Sequence, residues 1–99
     1  MIYTKHGAAV SRETISDDVS RLINQIWKLI PMREKNENWQ SHLNNIIVEI
    51  TGLYSILQLD GLILLSKLEG LRCTDLDFMT YRSIVFRSIT LLNRELGHL

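Results

Sequence analysis

An all-α fold, a small antiparallel helical bundle of three long helices and one short one, is what this sequence predicts. Three observations carry the prediction. The first is the run Trp39, Leu43, Ile46, Ile47, Ile50, Leu53, Tyr54 and Leu57. At about 100° per residue, these large apolar side chains fall within about a third of a helix circumference. A second line, Ser41, Val48, Gly52 and Leu59, runs up the back of the same segment. A bulky front with a small, partly apolar back suggests a central helix packed on two sides. The second observation is that one proline and five glycines in 99 residues are few, which favours long helices over a turn-rich β fold. The third is that caps and breakers fall where the periodic segments end.

Residues 1–10 follow neither the helical nor the strand period. They read as an N-terminal arm, either flexible or a short extended segment, ahead of a single helical domain over 11–97. Ser11 is placed to cap the first helix, with Ser16 as the alternative start. Val10 and Ile15 occupy the two positions of a hydrophobic staple. Ile15, Val19, Leu22, Ile23, Ile26, Leu29 and Ile30 form its apolar face, with Trp27 at the edge. Pro31 is expected to end it, because proline lacks the N–H and clashes with the preceding turn.

Residues 32–38 form a polar connector, short enough to make the first two helices antiparallel neighbours. Asn38 is placed to cap the second helix, Trp39 to about Gln58. Asp60 and Gly61 mark a break, with Asp60 capping a short third helix, Leu62 to Glu69. The alternative is that the second helix continues through Gly61, at about 1 kcal/mol for the glycine. Gly70 fits the left-handed position after the short helix, with Leu71 folding back on Leu65. Thr74-Asp75-Leu76-Asp77 resembles a capping box. The last helix is expected over Asp75 to Leu96, with Phe78, Tyr81, Val85, Ile89, Leu92 and Leu96 inward and Gly97 as its stop.

Composition bounds the rest. Apolar residues at 45% and charged residues at 22% exclude a disordered chain. Eleven basic and eleven acidic residues cancel, which argues against a strongly nucleic-acid-binding surface and leaves little electrostatic resistance to self-association. The longest apolar run, Leu62 to Leu65, is far short of the roughly 20 residues that span a bilayer. With no leader-like N-terminus and a single cysteine, Cys73, a cytoplasmic protein is expected. Cys73 itself is expected to be a small buried side chain near a turn.

Chemistry-bearing patterns are few. His6, His42 and His98 stand apart, with no second ligand at metal spacing. Asp17, Asp18, Asp75 and Asp77 lie at helix starts, where the helix dipole accounts for them. No glycine-rich phosphate loop and no nucleophile elbow occur. Neither a cofactor, a metal nor an enzymatic activity is therefore expected. Trp27 and Trp39 flank the first connector and are expected to close that end of the hairpin; the alternative is an aromatic binding patch.

The last helix supplies the candidate partner-binding residues. Arg87 and Arg94 lie seven apart, opposite its core stripe, with Arg82, Ile84 and Leu91 beside them. Arginine next to exposed aliphatics is a common contact composition. The resulting expectation is a non-enzymatic protein–protein interaction module, a self-associating accessory subunit or a regulator or inhibitor of a larger complex. Its partner would be a second copy of itself (a dimer or higher oligomer), another protein, or both, and not a membrane. The alternative is a nucleic-acid-binding bundle using Arg82, Arg87 and Arg94.

Overall fold

The computed structural model describes residues 2–3, 9–10, 12–73 and 75–96, those up to residue 13 by their backbone. The expected all-α bundle is what forms. Among the described residues the helices are α1 (Arg12–Trp27), α2 (Leu29–Glu34), α3 (Trp39–Leu57), α4 (Leu62–Gly70) and α5 (Phe78–Leu96). Ahead of them β1 (Ile2–Tyr3) pairs antiparallel with β2 (Ala9–Val10), Ile2 opposite Val10 and Tyr3 opposite Ala9, so this part of the N-terminal segment is extended. Ser11, Thr74 and Gly97, expected at a cap, a capping box and a stop, lie outside the described residues.

Pro31 does not end a helix. It is the third residue of α2, inside the first turn, where no intrahelical partner is required of its missing N–H. The interruption comes earlier, at Lys28, between α1 and α2. The bundle therefore has two short helices rather than one. Asn36 then takes a left-handed conformation (φ 56°). Glu37 N–H donates to Met32 O at 2.8 Å and Asn36 N–H to Arg33 O at 3.0 Å, the paired bonds of a Schellman closure.

The long central helix is capped as expected, Asn38 Oδ1 accepting from Ser41 N–H at 3.4 Å. It closes by the same device as α2. Gln58 is left-handed (φ 58°), Leu59 N–H reaches Tyr54 O at 2.9 Å, and Gln58 N–H reaches Ser55 O at 3.2 Å. Helix α3 therefore stops before Gly61 and does not run through it. A side chain in the left-handed region is strained by roughly 1 kcal/mol relative to glycine. Gln58→Gly is expected to raise stability by about 0.5–1 kcal/mol, checked by urea unfolding. A loss of stability would show that the exposed Gln58 side chain makes a contact worth more than that strain.

The N-cap of α4 is Gly61 rather than the expected Asp60, which lies one residue outside and whose Oδ1 accepts from Leu62 N–H at 2.9 Å. Gly70 is not the left-handed stop. It is the last residue of α4, and Leu71 follows in right-handed geometry (φ −70°) with its side chain fully buried. Helix α5 begins at Phe78 rather than Asp75. Its cap is Asp77, whose carboxylate accepts from Thr80 N–H at 3.2 Å and Thr80 Oγ1 at 2.5 Å. The Thr80 hydroxyl, and then its N–H, hold the Asp77 carboxyl below the usual range.

Contacts fix the helix directions. Arg21 pairs with Glu49 at 2.5 Å, and Gln25 O meets His42 Nε2 at 2.8 Å, so α1 and α3 run antiparallel. Tyr81, near the start of α5, packs edge-on against Trp39 at the start of α3 (ring centroids 5.4 Å), and Trp27, ending α1, meets Phe86. Helix α5 thus runs antiparallel to α1. Helix α4 packs against both α3 and α5. The front of α3 is buried through Trp39, Leu43, Ile46, Ile47, Ile50 and Tyr54, with Leu53 and Leu57 half-buried.

The back of α3 behaves otherwise. Ser41, Val48, Gly52 and Leu59 are all exposed, Val48 by 69%. The expectation of packing on two sides fails because α1, α2 and α4 all seat on the bulky side. Nothing among the described residues lies within 4 Å of a β-carbon built on Gly52.

Candidate functional site

Among the described residues, open apolar side chains remain on α5, on the back of α3 and on α4. The first such surface is the outer face of α5. Arg82, Arg87 and Arg94 are exposed there as the sequence predicts. Leu91 is not: it is 6% exposed and belongs to the core, and Ile84 is half-buried against that core. The expectation of two open aliphatics beside the arginines is corrected accordingly. Leu91 sits about 120° around the helix from Val85, on the flank where Lys67 of α4 and Leu91 line a common depression.

The open apolar residues of this face are others. Phe86 is 36% exposed and Met79 67% exposed. Trp27 packs edge-on against Phe86 with ring centroids 4.8 Å apart, and the Arg82 guanidinium lies 5.1 Å above the Phe86 ring. Trp39 is buried as expected, whereas Trp27 rests on Phe86 with 40% of its surface exposed. Phe86 is a missed residue. It falls about 100° from the core stripe, an angle from which a helical wheel alone assigns no role.

Beside Phe86, a shallow groove of about 260 Å³ is lined by Lys67, Phe86, Arg87, Thr90, Leu91 and Arg94. No carboxylate lines it. Among the described residues, none of Lys67, Arg82, Arg87 and Arg94 is in an ion pair, whereas Arg21 pairs with Glu49 and Arg72 with Glu69.

The second surface is the open back of α3. Val48, Gly52, Leu53 and Ile56 face Asp18, Arg21 and Leu22 of α1 across another groove of about 260 Å³, with Glu49 at the rim. On α4, Leu62 and Ile63 are 69% and 67% exposed.

Among the described residues, no cluster of three His, Cys, Asp or Glu side chains could hold a metal. Cys73 is exposed, contrary to the expected buried position. Two core tyrosines have raised ionisations. Burial pushes the Tyr81 phenol up to about 12, with Arg33 pulling it back. Burial also raises Tyr54, helped by the negative charge of Glu95. Among the described residues the buried Tyr54 hydroxyl has no hydrogen-bond partner.

Arg33, read from sequence as part of a polar connector, is a structural clamp. Its guanidinium donates to Leu76 O and, at 3.5 Å, to Asp77 O, and lies 4.4 Å from the Tyr81 ring centroid. It ties α2 to the start of α5. Among the described residues, no helix is long and apolar enough to cross a membrane. Comparison of the chain with protein-family models, curated proteins and solved structures finds no match.

Proposed function

We propose that this chain is a non-enzymatic protein–protein interaction module that self-associates and acts as an accessory subunit or regulator of a larger complex. The observation that carries the reading is the open back of α3. Val48 stands 69% exposed and Ile56 40% exposed around Gly52, while the core has its own complete apolar set. A glycine inside an exposed helix costs about 1 kcal/mol relative to alanine, and nothing among the described residues uses the space it leaves. The rim carries both signs, Asp18, Arg21 and Glu49. These charges are already paired with one another within the subunit, so the apolar residues would carry the contact.

Light scattering behind a sizing column, over a dilution series, tests it. The wild type is expected to run as a dimer or larger. Val48→Glu and Ile56→Glu are expected to run as monomers with unchanged helical circular dichroism, since both positions lie outside the core. A wild-type monomer throughout the series, or variants of unchanged mass, would remove self-association through this face.

A second reading, nucleic-acid binding by Arg82, Arg87 and Arg94, draws support from the unpaired cations on α5. It requires binding that weakens steeply with salt. No shift of single- or double-stranded oligonucleotides at low salt would eliminate it.

A further inference from the structure

We propose that the outer face of α5 is a docking groove for an acidic amphipathic helix of a partner protein. The inference rests on the interaction-module reading and gives a chemistry to a partner that binds away from the α3 face.

Length is the first argument. The groove beside Lys67 shares Phe86 and Arg87 with a second depression, of about 250 Å³, that adds Met79 and Arg82. The combined strip runs from Met79 to Arg94, roughly 22 Å at 1.5 Å per residue, or about four helical turns. Its apolar contacts are Phe86 and Met79, both open to solvent, above the buried Leu91. An exposed aromatic ring with an arginine over it is a typical anchor for a docked helix.

Charge is the second. Four cations border the strip and no carboxylate lines it. Like charges held together on one face repel, and an acidic partner relieves that repulsion as it docks. A second copy using the same face would set arginine against arginine, so the occupant is a different surface.

Spacing is the third. Arg87 and Arg94 are seven residues apart on one line of α5, about 10.5 Å. A helix laid alongside repeats its own side chains at that interval, so acids at i and i+7 meet both arginines at once. Lys67, projecting from α4, offers a third contact on the other flank.

The test uses the full chain and two fluorescent helical peptides, one with Leu on its apolar stripe flanked by Glu, the other with Lys in place of Glu. Anisotropy is expected to show the Glu peptide bound at least tenfold more tightly than the Lys peptide. In the double variant Arg87→Glu/Arg94→Glu the preference is expected to reverse by a similar factor. If that variant loses its helical signal, Arg87→Gln/Arg94→Gln replaces it, and the preference is then expected to collapse. Equal affinity for both peptides, no binding of either, or an unaltered preference in the variant would overturn the proposal. So would a single-stranded oligonucleotide that binds the wild type more tightly than the Glu peptide and is lost in the variant. Failure here with dimers still present in the dilution series would sink the groove alone; monomers throughout would sink self-association instead.

Discussion

Tyr81→Ala is expected to destabilise the protein by about 3–5 kcal/mol, the usual cost of removing a large buried aromatic side chain. Tyr81 is fully buried where three elements meet. Its ring packs edge-on against Trp39 of α3 and under the Arg33 guanidinium of α2, and its hydroxyl lies 3.5 Å from Leu29 O. Truncation leaves a cavity and strips Arg33 of the ring it covers. The melting temperature should fall by on the order of 20 °C. Tyr81→Phe separates ring from hydroxyl: it keeps both ring contacts, loses one long hydrogen bond, and should cost only about 0.5–1.5 kcal/mol. Thermal unfolding of the two variants checks this. Equal losses would mean that the hydroxyl, not the ring, holds the junction.

The second large effect is expected at Gly61. Its backbone (φ −99°, ψ 16°) is open to any residue, so conformational freedom is not what the position requires. Space is. A β-carbon there would lie 2.6 Å from Tyr54 Cδ2 and 3.1 Å from Cε2. Those are ring atoms of a side chain only 2% exposed, with nowhere to turn. Gly61→Ala should therefore cost about 1–3 kcal/mol through overpacking. Gly52→Ala, where no described residue of the subunit approaches the added methyl, should instead stabilise the isolated subunit by about 1 kcal/mol through helix propensity. Denaturant titration of the pair gives opposite signs if the close approach to Tyr54 matters. Two gains of similar size would show that Tyr54 shifts freely.

These two positions also show what was legible in advance. Spacing alone identified the buried front of α3, because six of its eight positions meet neighbouring helices and the other two are half-buried. It marked Asp60 and Gly61 as a break because glycine disfavours a helix interior, which is a different reason from the close approach of Tyr54 that makes Gly61 matter. It did not reveal that Gln58 and Asn36 take the left-handed closures, since neither is glycine and the αL position leaves no periodic trace. Pro31 misled because proline breaks a helix interior but suits a first turn, and a local sequence does not distinguish them. The candidate face was half legible. Arg87 and Arg94 lie opposite the core because seven residues return to nearly the same angle. Leu91 joined the core and Phe86 stayed partly open because α4 and Trp27 arrive from elsewhere in the chain, and helical phase contains no information about either.

The unequal exposure of the two indoles has an optical consequence. Trp39, at 6%, emits from an apolar setting, whereas Trp27, at 40%, emits beside solvent. A dissolved quencher would dim one and spare the other, dividing the emission into an inner and an outer component. The outer component comes from the ring resting on Phe86, at the margin of the basic groove, and the inner one from the junction that Tyr81 and Arg33 hold shut. One unlabelled sample thus carries two separate lamps, one for occupancy of the surface and one for integrity of the core.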